Sequence, residues 1–131
     1  MSKKLLEPGL PRGFEDSFGK SLIIEKKIKE VIEKNFLRYG YTEIKTSPFE
    51  YSENIGGFLT DDLKDFSKDI FTFDDKDRKI SLRFDLSAPL ARVVSEKYLE
   101  FAFPFRRFQI AEVFRNETSK TGRGRYRSFL Q

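Results

Sequence analysis

The sequence predicts a mixed α+β architecture with antiparallel strand pairing. Three observations carry that expectation. Apolar residues recur at helical spacing between residues 17 and 39. Two short β-rich runs, 70–73 and 80–84, flank a polar turn. Two further runs rich in aromatic residues, 105–114 and 126–131, flank a loop containing glycines.

Taken in order, residues 1–16 read as an irregular arm broken by Pro8, Pro11 and Gly13. A helix then runs from a cap at Asp16 or Ser17 to a stop at Gly40. Ile24, Ile28, Val31, Ile32, Phe36 and Tyr39 line one face of it, while lysines and glutamates line the other. The apolar face predicts core packing. Tyr41–Thr46 reads as a strand halted before Pro48. Residues 51–69, with Gly56-Gly57 and several aspartates, suggest a loop with short helical pieces. Ile70–Phe73 and Ile80–Phe84 form a hairpin across Asp74-Asp75-Lys76-Asp77. Ser87 caps a helix over 88–98, with Pro89 in its first turn, where a missing N–H costs little. Phe105–Phe114 and Tyr126–Gln131 are strands, and Asn116–Gly124 is the loop between them. The chain stops within that last strand, so the segment is expected to be the first part of a longer protein.

Composition narrows the chemistry. A chain of 131 residues suits one domain, and 15 Phe with 5 Tyr argue against general disorder. There is no Cys, hence no disulfide, thiolate metal site or cysteine nucleophile. The absence of His removes a Ser-His-Asp triad, a histidine base and histidine-ligated metals. No apolar run approaches the roughly 20 residues of a membrane span, and the N-terminus lacks the apolar core of a secretory signal. A soluble cytoplasmic protein without a membrane partner is the expectation.

Charge is unevenly placed. Residues 1–103 carry 18 basic and 19 acidic side chains, whereas residues 104–131 carry 7 basic and 2 acidic. Clustered arginine implies an anionic partner, either a nucleotide phosphate or a nucleic acid. Two antiparallel strands around the loop would set Arg115 opposite Arg125 or Arg127. By alternation, Arg125, Arg127, Phe129 and Gln131 share one face of the returning strand. Arginine forks bind phosphate oxygens, an aromatic ring offers a stacking platform, and glutamine both donates and accepts. Neither GxxxxGK[ST] nor GxGxxG occurs, so the P-loop and dinucleotide-fold readings fail.

The segments FRNE at 114–117 and GRYRSFLQ at 124–131 resemble motif 2 of class II aminoacyl-tRNA synthetases, in the form of the histidyl-tRNA synthetase family. PRGFED at 11–16 resembles that family's N-terminal signature, YGYTEI at 39–44 with its preceding helix resembles motif 1, and SLRFDLSAPLARVV at 81–94 resembles the amino-acid-binding segment. The resemblance implies an antiparallel sheet flanked by helices, incomplete within residues 1–131, with motif 1 contributing to a homodimer. Motif 3 and the anticodon-binding domain have no counterpart here. It further implies activation of histidine with ATP, expected to carry Mg2+, and transfer of the histidyl group to tRNA(His).

Residue by residue, the resemblance assigns Arg115 to the α-phosphate as the catalytic cation. Glu117, Arg125 and Phe129 join it in ATP binding, Phe129 by stacking on adenine. Asp85, Ser87 and Gln131 fall to histidine, Asp85 binding its ammonium. No residue is assigned to a metal. Alternatives stay beside these roles: Asp85 as a helix cap, Phe129 as core, Arg127 as a structural ion-pair partner. At the level of function the alternatives are a non-catalytic, histidine-binding regulatory subunit of ATP phosphoribosyltransferase and a general RNA-binding module. The full set Arg115, Glu117, Arg125 and Phe129 favours the enzyme, and the segment alone is expected to be inactive.

Overall fold

The computed structural model describes residues 6–56, 67–116 and 127–131. Its first regular element is helix α1, Lys20–Arg38. The helix begins later than the sequence predicts, because Gly19 turns the chain at φ 65° immediately before it. Asp16 and Ser17 lie upstream of that turn, and no side-chain cap forms. The other end behaves as expected. Gly40 adopts φ 75°, its amide donates to the Leu37 carbonyl, and the Tyr41 amide donates to the Phe36 carbonyl. That pair of bonds is a Schellman closure, completed by an apolar contact between the Tyr41 and Phe36 rings at 5.2 Å.

The chain leaves α1 into β1 (Thr42–Glu43), then β2 (Phe49–Tyr51) and the short helix α2 (Ser52–Gly56). After the single 3-10 turn Ser67–Asp69 come β3 (Thr72–Asp75) and β4 (Arg78–Leu82). Helix α3 (Ser87–Glu96) and a second 3-10 turn, Tyr98–Glu100, lead to β5 (Arg107–Phe108), β6 (Glu112–Phe114) and β7 (Ser128–Leu130). The strands pair in three groups. β2, β4 and β3 lie antiparallel in that order, and β6 pairs antiparallel with β7. β1 and β5, in contrast, run parallel, with Thr42 opposite Arg107. A parallel pair needs a long crossover, and the elements from β2 to α3 supply it.

Several sequence expectations shift in detail. The β3–β4 turn is the pair Lys76-Asp77, with Lys76 at φ 52°; Asp74 and Asp75 belong to the strand. The single strand expected over 105–114 is two short ones. Ser87 is the first residue of α3 rather than its cap; Leu86 holds the cap position, and the Ser87 amide, a donor of the first turn, goes to the Asp85 carboxylate.

Ile55, Phe108 and Val113 are buried in the core, with Leu86 and Ala88 from the start of α3. Helix α1 does not join them: Ile24, Ile28 and Val31 remain 57, 55 and 59% exposed. Its main anchor is Phe36, stacked on Phe108 at 5.2 Å. The apolar face predicted to pack in the core instead borders a groove of about 770 Å³, shared with Ile110 and Leu130.

Polar groups stitch the layers together. Arg83 is buried; its Nε donates to the Glu112 carbonyl at 2.6 Å and its Nη1 to the Thr46 carbonyl at 3.1 Å. Its own amide donates to the Pro48 carbonyl and its carbonyl accepts from the Phe114 amide. Burial lowers the Arg83 pKa, and Glu112 opposes that shift. On β2, buried Glu50 receives a two-pronged bond from Arg92 at 2.7 and 2.9 Å, which raises the Arg92 pKa.

Candidate active site

Register places the first arginine of interest. In the β6–β7 pair Val113 faces Phe129 and Phe114 faces Ser128, and the Arg115 amide donates to the Arg127 carbonyl at 2.8 Å. Alternation therefore sets Val113, Arg115, Arg127 and Phe129 on one face, which agrees with the sequence expectation for Arg127 and Phe129. Glu112, on the other face, accepts from the Ser128 hydroxyl.

The Arg115 guanidinium lies 5.0 Å from the centre of the Phe129 ring and 4.4 Å from that of Phe84. Both distances are within reach of a cation–π attraction. Phe84 reaches this point because Arg83, one residue earlier, is bonded through its backbone to Phe114, the neighbour of Arg115.

Arg127 performs a different task. Its guanidinium lies 4.5 Å from the Phe71 ring centre and 5.6 Å from that of Phe14, and it donates to the Asn116 side-chain carbonyl. Its amide donates to the Gly13 carbonyl. Asn116 in turn reaches the 3-10 turn through Asp69 and Lys68. The PRGFED arm thus buttresses the returning strand, and among the described residues no carboxylate forms an ion pair with Arg127.

Asp85 follows Phe84 directly. One of its carboxylate oxygens accepts from the Ser87 and Ala88 amides at 3.1 and 3.2 Å. These are free donors of the first turn of α3, so the side chain caps the helix and favours its dipole. A carboxylate has further acceptor positions, so capping leaves capacity for an ammonium. Ser87 is exposed beside it.

Gln131 is not gathered with these residues. Its backbone exchanges two bonds with Ala111, and its side chain borders the groove along α1. Glu117 and Arg125 lie outside the described residues. Among the described residues no group of three or more acidic side chains could hold a metal ion.

Two residues near the site escaped the sequence reading. Arg83 had a usable signal, a lone arginine between apolar neighbours at a strand end, where a buried cation must find carbonyls or carboxylates. Phe84 had none, because no local pattern says which side chain it meets.

This assembly of short antiparallel strands, flanking helices and an arginine-bearing hairpin is the class II aminoacyl-tRNA synthetase fold. Solved structures resemble it closely. A histidyl-tRNA synthetase from a Nostoc species superposes with a TM-score of 0.76 at 25% identity, over 93% of this chain and 26% of the other. A Bacillus halodurans protein described as an ATP phosphoribosyltransferase regulatory subunit/histidyl-tRNA synthetase gives 0.78 at 25% identity, over 97% and 31%. The family model described as histidyl-tRNA synthetase matches residues 13–131, and the chain belongs to that family. A histidine–tRNA ligase of Pelagibacter ubique is 51% identical over 126 residues, covering 96% of this chain and 27% of the relative. The chain spans about a quarter of the length of such curated relatives.

Proposed function

We propose that residues 1–131 form part of the catalytic domain of a histidine–tRNA ligase, contributing motifs 1 and 2 to a site completed by other segments. The substrates are histidine, ATP and tRNA(His). In the first step a carboxylate oxygen of histidine attacks the α-phosphorus of ATP. The bond to the bridging oxygen breaks, pyrophosphate leaves, and histidyl-adenylate remains. In the second step the histidyl group passes to the tRNA, releasing AMP.

The observation that carries this reading is the Arg115 guanidinium held beside Phe129 on one face of the β6–β7 hairpin. Two anions must approach each other in the first step, and a fixed cation relieves their repulsion as charge develops on the α-phosphate. Phe129 offers its ring to the adenine. Glu117 and Arg125 contribute to ATP binding, and Asp85, Ser87 and Gln131 to histidine binding. The nucleophile is already a carboxylate, so no general base is required, and a chain without histidine can serve. Mg2+ enters only as the companion of the ATP phosphates. The working form is a homodimer in the cytoplasm. No helix among the described residues is long and apolar enough to cross a membrane.

The regulatory-subunit alternative shares the fold but has no need of a cation aimed at a phosphate. Pyrophosphate exchange in a family-length polypeptide carrying this segment separates the two. Arg115→Ala is expected to slow histidine-dependent exchange on the order of a hundredfold to a thousandfold at saturating histidine. Arg115→Lys is also slow, because an ammonium lacks the planar fork. An unchanged maximal rate in Arg115→Ala would overturn the catalytic reading. The 131-residue chain alone is expected to bind ATP weakly and to release no pyrophosphate.

A further inference from the structure

We infer that Phe84 is a positioning residue for Arg115, fixing the plane of its guanidinium before ATP arrives. The inference rests on the role of Arg115 proposed above. Among the described residues two rings lie near that guanidinium, and Phe84 is the nearer, at 4.4 Å against 5.0 Å. Its backbone is held on both sides. Arg83 is bonded to Pro48, Thr46, Glu112 and Phe114, and Asp85 is tied to the first turn of α3. The Phe114 amide donates to the Arg83 carbonyl at 3.0 Å, so Phe84 and Arg115 each follow one member of a single backbone bond. That link fixes the two backbones relative to each other, so the Phe84 ring meets the Arg115 side chain from a set position.

The two rings also differ in what the reaction asks of them. Phe129 is required to stack on a base, so its ring engages the nucleotide. Phe84 is assigned no contact with the nucleotide, so nothing in the proposed reaction requires its ring to leave Arg115. A guanidinium held in plane presents its fork to the phosphate without losing rotamer freedom at that moment. In the proposed role Phe84 acts through Arg115 and not on a substrate.

The test uses the family-length polypeptide. Phe84→Leu is expected to lower the maximal rate of pyrophosphate exchange roughly threefold to thirtyfold, the range that a lost cation–π contact converts to. The KM for histidine stays within about twofold, because the histidine contacts are untouched. Phe84→Tyr and Phe84→Trp recover most of the rate, since each keeps a ring. Phe84→Leu combined with Arg115→Ala is no slower than Arg115→Ala alone, because the two act as one unit. A full rate in Phe84→Leu beside a slow Arg115→Ala overturns this inference and leaves the proposed function standing. A full rate in Arg115→Ala overturns the function itself. If Phe84→Leu does not fold, Phe84→Met takes its place under the same criteria. A spectroscopic measure needs no substitution of Phe84. In Phe129→Leu the Arg115 Nε–H proton resonance should remain shifted upfield by the Phe84 ring, and a random-coil position overturns the inference.

Discussion

Asp85 is one carboxylate with an observed role and a proposed one. It closes the first turn of α3 through the Ser87 and Ala88 amides, and we propose that it also binds the histidine ammonium. The two roles leave different signatures. Asp85→Ala is expected to lower stability by about 1 kcal/mol through the lost cap, read from the urea midpoint. In a family-length polypeptide the same change raises the KM for histidine, whereas the loss in Arg115→Ala appears in the maximal rate. In the proposed reaction the contrast follows from timing: the ammonium is present before and after the step, while the charge facing Arg115 grows only in the transition state. Asp85→Asn keeps an acceptor for the amides and loses the charge. It should restore most of the stability and little of the histidine binding; equal recovery of both would show that the cap is the only role.

At the scale of the element, the end of α1 and the tip of β4 carry opposite kinds of constraint. Gly40 sits at φ 75°, and a Cβ added there would meet nothing within 4 Å. The cost of Gly40→Ala is therefore one of backbone conformation, about 1 kcal/mol, and Gly40→Asn should recover part of it. A loss well beyond 2 kcal/mol would mean that packing was involved. Arg83 is the reverse case, with all its value in contacts. Arg83→Met removes two charge-assisted bonds to the Thr46 and Glu112 carbonyls and is expected to cost about 3 kcal/mol by urea unfolding. Arg83→Lys should recover less than half, since one ammonium at the end of a flexible stem does not reproduce the fixed fork.

For the whole molecule, the notable feature is the apolar face of α1. Ile24 and Ile28 are more than half exposed, and the groove they share with Ile110 and Leu130 has no filling side chain among the described residues. An open apolar face of this kind drives association. The 131-residue chain is expected to self-associate, with light scattering showing a mass that rises with concentration. Ile24→Glu combined with Ile28→Glu should lower that mass toward the monomer. A clean monomer of the unsubstituted chain at high concentration would contradict the expectation.

By itself the sequence determined whatever depends on near neighbours. Helical periodicity marked α1, Gly40 marked its end, and the alternation of side chains around the closing loop set Arg115 opposite Arg125 or Arg127, of which the register chose Arg127. The ordered blocks PRGFED, YGYTEI, SLRFDLSAPLARVV and FRNE…GRYRSFLQ carried the family. These are effects of residues one to four apart, or of long matched segments, and they survive without knowledge of the fold. Only the tertiary structure decided that Phe84 lies against Arg115, that Asp85 caps α3 while Ser87 opens it, that β1 pairs parallel with β5, and that Gln131 turns to the α1 groove. The contact of Phe84 with Arg115 depends on the backbone bond between Arg83 and Phe114, the other pairings on strands far apart in sequence, and the Asp85 cap on which of several local partners the folded turn presents. The open face of α1 has the same origin: amphipathic spacing shows which side of a helix seeks burial, but burial requires a second surface, and only the assembled fold shows whether one is there.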